Sequence, residues 1–336
     1  GTFGSGQGKI LFAEGITLPW SISEFDLATR QVRTLVDYSQ DFILKRVVGG
    51  VTRANDGTFA VIRNPTDFNQ STSILHYQAD GTRLQEWTVP LQLIPGVPNT
   101  FGLAERPRNA FNAGGALSPD ARSIALVEHT VEGSRLEVVI LDVQSGTWII
   151  RDLLGANDLP RDKTNLHAST LWSSAGELYV LSNVGLHRVD RTTGVGTLVH
   201  SVTLFAPHAS IMSADARTIY FDQHSGNPRG GTVWSMDVAS GVLTRRSLRS
   251  VDGDQFSPTF SPDEEWLLLQ EANLAASVFI PNAIFSQNPL IGSVSTPVPI
   301  SAVRLSDPPI DTQNLKTVIE DASGKVHSAN GRMVWY

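Results

Sequence analysis

The chain has 336 residues, with 28 Gly, 18 Pro, no Cys and a formal net charge of −7; 41% of its residues are hydrophobic and 18% charged. This is a globular composition, and the missing cysteine excludes a disulfide framework, a thiolate metal centre, a thiol nucleophile and cysteine-held iron–sulfur chemistry. The acidic balance without a basic cluster argues against nucleic acid as a partner, and no apolar run is long enough to span a membrane.

In chain order, Gly1–Gly8 reads as a glycine-rich arm. It is expected to dock beside the C-terminal strand of its own chain, in preference to a neighbouring copy. No charged start leads into an apolar stretch, so an export leader is expected to have been removed. From Lys9 onward two half-patterns alternate. One is an apolar segment, a tight turn and a β-rich run, best seen in Leu117-Ser118-Pro119-Asp120-Ala121-Arg122-Ser123-Ile124, Met212-Ser213-Ala214-Asp215-Ala216-Arg217-Thr218-Ile219 and Phe260-Ser261-Pro262-Asp263-Glu264-Glu265-Trp266-Leu267. Weaker copies carry Asn55-Asp56-Gly57, Ser174-Ala175-Gly176 and Asn330-Gly331. Pro presets φ, and Asp, Asn and Gly accept the unusual angles of a hairpin turn.

The other half-pattern is two strands around an aspartate turn. It occurs at 23–35, 74–81, 139–148, 186–194 and 233–244, as in Leu141-Asp142-Val143-Gln144-Ser145-Gly146. Together the halves predict four-stranded units repeated along the chain. The longer intervals hold insertions, at 90–108 and at 281–309, where Pro281, Pro289, Pro297, Pro299, Pro308 and Pro309 exclude most of the stretch from a central strand. No helical period is sustained, so the expected class is all-β: one propeller over residues 1–336, six-bladed by preference and seven-bladed as the alternative. The segment 313–336 would close the ring against the first strands, which removes exposed edges. Core positions are expected at Leu117, Ile124, Leu126, Leu171, Leu178, Val180, Ile211, Ile219, Phe221, Phe260, Leu267 and Leu269. The tryptophans, near once per unit, are expected between blades.

The Ser-Pro-Asp hairpin followed by Asp-x-x-(Ser/Thr)-Gly resembles the TolB-like β-propeller repeats over about residues 9–270. The resemblance implies a rigid ring with variable loops. The small N-terminal α/β domain of TolB has no room before Lys9, so its partner-binding role is not carried over.

In a propeller, residues just before the inner strands ring the channel mouth. Counting back from the turn markers places Asn112, His167, Pro207 and Gln255 there, with His208 and Asp254 adjoining. Imidazole and amide oxygens can hold a small ligand or a divalent cation such as calcium. The plainer reading, that they satisfy turn backbone groups, is preferred. Carboxylates at Glu105, Asp158, Asp162 and Asp252 could add to such a site. No nucleophile elbow, zinc-protease motif or phosphate loop is present. The leading expectation is therefore a non-catalytic binding or assembly module, periplasmic or extracellular, with a protein partner or self-association and no cofactor. A channel-metal lactonase or esterase and the propeller of a larger serine peptidase are the competing readings.

Overall fold

The computed structural model describes residues 8–14, 21–38, 46–65, 71–90, 92–93, 105–106, 116–129, 135–154, 168–204, 207–224, 231–246, 253–273, 300–304, 316–317, 319–327, 329 and 333–336. Strands are the regular elements of these residues, which contain no helix. Strands β1 (Lys9–Glu14), β2 (Ser21–Asp26) and β3 (Gln31–Asp37) belong to a first sheet. The second holds β4 (Arg46–Arg53), β5 (Phe59–Pro65), β6 (Ser73–Tyr77) and β7 (Arg83–Thr88). Within the 90–108 insertion, β8 (Gln92–Leu93) pairs with β9 (Glu105–Arg106).

A third sheet follows with β10 (Ala116–Leu117), β11 (Ser123–His129), β12 (Leu136–Asp142) and β13 (Trp148–Leu154). The fourth contains β14 (Ala168–Trp172), β15 (Leu178–Ser182), β16 (Gly185–Val189) and β17 (Gly196–Ser201). The fifth contains β18 (Pro207–Met212), β19 (Thr218–His224), β20 (Gly231–Asp237) and β21 (Leu243–Arg245). The sixth contains β22 (Gly253–Phe260), β23 (Trp266–Asn273), β24 (Ile300–Arg304) and β25 (Lys316–Thr317). Strand β26 (Val334–Trp335) then returns to the first sheet, whose order is β26-β1-β2-β3, while the others run in chain order. The fold is a β-propeller of four-stranded antiparallel blades. Strand β24 uses the part of 281–309 that the prolines leave open: its five residues lie in a proline-free window between Pro299 and Pro308, so the ladder to β23 keeps its donors.

Local chemistry explains the repeat. In Ser118-Pro119-Asp120, the Ser118 hydroxyl donates to Asp120 Oδ1 at 2.6 Å and accepts from the Ser123 amide at 2.9 Å. Ser213 with Asp215 and Ser261 with Asp263 repeat the arrangement. The residue after each aspartate turns left-handed, with φ of 59° at Ala121, 57° at Ala216 and 55° at Glu264, where weaker copies use Gly57. Burial pushes the Asp120 carboxyl up, but the Ser118 hydroxyl and the Arg191 guanidinium overcome this and bring it to about 2.

Where they are described, the second and third strands are buried over most of both faces. In β11 every residue from Ser123 to Glu128 is buried. Ile124 and Leu126 pack towards the second sheet with Ala60, Ile62 and Ile74, whereas Ala125 and Val127 pack towards the fourth with Leu178 and Val180. In the third sheet the expected alternating core was therefore half of the real one, because that blade is sandwiched between two others and β11 reads as a nearly continuous apolar run. Of the expected positions, Ile211 is only partly buried and the Leu269 side chain lies outside the described residues; the other ten are buried. Trp87, Trp148, Trp172, Trp234, Trp266 and Trp335 sit in or against these inter-sheet clusters, and Trp20 lies outside the described residues.

Inner strands touch in succession: β4 with β10, β10 with β14, β14 with β18, β18 with β22, β22 with β26, and β26 with β4. Ile10 pairs with Trp335 and Leu11 with Val334. The Lys9 amide donates to Tyr336 O at 2.6 Å, and the Tyr336 amide donates back at 2.9 Å. The Tyr336 hydroxyl donates to Glu24, which also receives Lys9 Nζ at 2.8 Å and Arg33 at 3.3 Å. Burial pushes the Glu24 carboxyl up, and those three donors bring it below its ordinary value. Residues 1–7 of the glycine-rich arm lie outside the described residues; Gly8 O accepts from the Leu27 amide at 3.3 Å.

Candidate functional site at the mouth of the propeller

Register fixes which ends of the sheets share one side. Lys9, Ser123 and Thr218 each face the aspartate that opens a turn, Asp26, Asp142 and Asp237. At the opposite ends of the same strands, Glu14, Glu128 and Gln223 face Ser21, Glu137 and Thr232. Counting the other sheets from their own turns puts Arg63, Ser182 and Glu271 at the same level. A polar residue thus stands at this level in the second strand of each of the six four-stranded sheets: it ends the strand at Glu14 and Ser182 and is followed by one or two more strand residues at Arg63, Glu128, Gln223 and Glu271. Glu14, Arg63, Glu128 and Ser182 are buried, and Gln223 is half-buried.

Some of the expected mouth residues have a described register position. Gln255 of β22 is the register partner of Glu271, and Asp254 is the partner of Ala272. Pro207 is the partner of Gln223, and His208 lies in a one-residue bulge between Pro207 and Ser210. Ala168, next to His167, is the partner of Ser182. Asn112, His167, Asp158, Asp162 and Asp252 lie outside the described residues, as do the side chains of His208, Asp254 and Gln255. Glu105 is in β9, at a register position opposite Leu93. Similar bulges interrupt β4 between Val48 and Val51 and β22 between Phe256 and Thr259. Such bulges bend an inner strand and re-aim its side chains at a rim.

The best-defined group on this side centres on Glu14. Its carboxylate accepts from the Ser23 hydroxyl at 3.0 Å and the Ser21 hydroxyl at 3.4 Å, and it meets His327 Nδ1 at 2.7 Å. His327 Nε2 meets Asp321 Oδ2 at 3.0 Å, and Lys325 Nζ lies 3.9 Å from Glu14. The Ser323 hydroxyl and His327 hold the Asp321 carboxyl below the usual carboxylate range. Arg30 secures the same segment by donating to the carbonyls of Glu320 and Asp321, both at 3.1 Å, and its own carbonyl accepts from the Ala322 amide at 3.0 Å. Arg30 holds φ at 55° in a turn position where Gly146, Gly194 and Gly241 serve elsewhere, so these contacts offset a left-handed backbone cost of about 1–2 kcal/mol.

Chemically this group is a clamp. Both imidazole nitrogens are committed to carboxylates, and the serine hydroxyls point at Glu14 and not at an imidazole, so no serine–histidine nucleophile pair forms. Among the described residues, no group of three histidine, aspartate or glutamate side chains is placed to hold a metal ion. Sequence reasoning missed Glu14, Arg63 and Glu128. The signal was present, since Glu128 follows Ser118 at the same interval as Glu271 follows Ser261.

A second buried imidazole has no such partners. His76 is 6% exposed, stacks at 6.1 Å on Trp87 within the junction of the second and third sheets, and its Nε2 has no hydrogen-bond partner among the described residues. Burial lowers its pKa, partly opposed by the charge of Asp56. Folding therefore favours the neutral ring, a contribution that is complete above the unfolded value of about 6.5 and is lost as pH falls through the folded value. Urea unfolding at neutral pH and in mild acid should show a smaller acid loss for His76→Gln than for the parent chain; equal losses would contradict this.

No protein-family model matches the sequence, and no curated protein matches it. Among solved structures, TolB from Acinetobacter baumannii aligns over 98% of this chain with a TM-score of 0.53 and 14% identity; the chain spans 66% of that protein's length. A protein described as TolB from Agrobacterium tumefaciens aligns over 99% of this chain and 98% of its own, with a TM-score of 0.55 and 14% identity. One described as a 6-phosphogluconolactonase from Bacteroides fragilis aligns over 100% and 99%, with a TM-score of 0.51 and 12% identity. At these identities the likeness shows the fold. In fold, the chain is a TolB-like β-propeller. Among the described residues, no helix is long and apolar enough to cross a membrane.

Proposed function

We propose that this protein is a non-catalytic binding module of the extracytoplasmic space: a closed six-bladed ring, zipped by β26 on β1, that presents its mouth side to a protein partner. The observation that carries the reading is the polar level formed by Glu14, Arg63, Glu128, Ser182, Gln223 and Glu271 at matching register positions towards one end of the second strands. Polar groups retained at this level are costly to bury unless bonded, and Glu14, Arg63 and Glu128 give that side a mixed charge pattern suited to recognition. Glu14 is already engaged with Ser21, Ser23 and His327, which favours a structural and binding role over proton transfer. The succession of inner-strand contacts supports the closed ring, and the cysteine-free composition supports the location.

No cofactor is required by this reading. Its test pairs elemental analysis of dialysed protein with ester and lactone turnover before and after chelation, and adds photo-crosslinkers at Gln223 on the mouth side and Thr147 on the turn side, each exposed to cell-envelope proteins. Crosslinks from Gln223 alone, without metal-dependent turnover, are expected. A stoichiometric divalent cation such as calcium, with turnover abolished by chelation, would overturn the proposal in favour of a channel-metal hydrolase.

A further inference from the structure

His327 meets two carboxylates at once, Glu14 Oε1 through Nδ1 at 2.7 Å and Asp321 Oδ2 through Nε2 at 3.0 Å, and its side chain is 4% exposed. A neutral imidazole donates from one nitrogen only, so both bonds are made together by the doubly protonated ring. Once one proton leaves, a bare nitrogen faces a carboxylate oxygen, a mismatch that burial makes costly. The other polar groups around this cluster, among the described residues, are Ser21 and Ser23 of β2 on Glu14 Oε2, Lys325 Nζ at 3.9 Å from Glu14, and Glu320 with Arg30 at 3.4 Å. From the sixth sheet, the Glu271 side chain lies outside the described residues. The Ser323 hydroxyl and His327 hold the Asp321 carboxyl below its usual range, so Asp321 keeps its charge well into acid.

The segment that this ring anchors is thinly attached. It joins β25 to β26 and is buried at its two ends, Ile319 and His327, while residues 322–326 are exposed. At other junctions a turn glycine seats directly against the outermost strand of the sheet before it: a Cβ at Gly194 would stand 2.7 Å from Arg151 of β13, and one at Gly241 2.9 Å from His200 of β17. Arg30 occupies that turn position in the first sheet and reaches the segment through polar groups, the Glu320 and Asp321 carbonyls, the Glu320 carboxylate and the Ala322 amide. A stretch with few buried side chains and exposed hydrogen bonds opens as a unit, below global unfolding. Ile319 belongs to the cluster of Phe12, Leu268 and Trp335, so its departure uncovers the edge of the junction between the first and sixth sheets.

We propose that residues 319–327 form a proton-operated latch over that junction, closed while His327 bridges Glu14 and Asp321 with both nitrogens and released when the ring gives up a proton to solvent. The neutral ring keeps Nδ1–H on the shorter bond to Glu14 and turns a bare Nε2 to Asp321, while β26 stays paired with β1. Pulse-labelling hydrogen exchange read by NMR, with rates corrected for the intrinsic effect of pH, tests this. Between about pH 6 and about pH 9, protection of the Ala322 and His327 amides should fall about tenfold or more, while that of the Lys9 and Tyr336 amides in the closing ladder holds. Asp321→Asn keeps an oxygen for the Ser323 and Lys325 amides and offers the neutral ring an N–H donor, so its latch protection should stay level over the same range. Protection of the parent segment that does not fall would overturn the proposal. So would loss of the Lys9 and Tyr336 protection in step with it, or an Asp321→Asn variant that loses protection in alkali as the parent does.

Discussion

Replacing Glu14 with alanine will lower the unfolding free energy by about 3–5 kcal/mol, because removing one partner of a buried charged network strands the others. Ser21, Ser23 and His327 are all buried and all meet this carboxylate. The double variant with His327→Gln should cost less than the sum of the two single changes, since the histidine has already lost one of its carboxylates. Chemical denaturation of the four proteins reads this directly. Additive losses would mean that the two groups do not act together.

Phe12→Ala should cost about 3–5 kcal/mol, the usual range for emptying a fully buried aromatic site. Phe12 has no exposed surface and packs where the first sheet meets the sixth, among Leu268, Ile319, Met333 and Trp335. Its effect should match that of Phe221→Ala, which opens the ordinary junction between the fourth and fifth sheets. Urea unfolding decides between them: a loss at Phe12 well below that at Phe221 would mean that the first-to-sixth junction is not an equal member of the ring.

Much of this architecture was legible in the residues. The Ser-Pro-Asp turns and the Asp-x-x-(Ser/Thr)-Gly turns mark hairpins by local chemistry, and local chemistry survives in a single sequence. What was illegible depends on distance or on sandwiching. Glu14 and His327 meet although 313 positions separate them, and nothing near either residue signals the other. Both faces of β11 are buried because blades flank it on two sides, which alternation alone could not tell from one-sided burial. Arg30 broke the glycine rule of its turn, and that exception marked the clamped segment. The mouth residues Asn112, His167, His208, Asp254 and Gln255 follow from counting back from the turns, and the register pairs Pro207 with Gln223 and Gln255 with Glu271. Glu14, Arg63 and Glu128 share that level from the second strands, where a single polar residue near the far end of a strand carries no local turn signal.

Every mouth-side assignment rests on the proposed closure of the ring through β26. The chain has no cysteine, so a single engineered pair reports on that closure without interference. Leu11 and Val334 are register partners across β1 and β26, within reach of a disulfide for directly opposed strands. Leu11→Cys combined with Val334→Cys should oxidise under mild conditions to a monomeric, internally crosslinked species, and denaturation should show it to be more stable than its reduced form. Failure to crosslink within one folded chain, or crosslinks only between chains, would contradict the account.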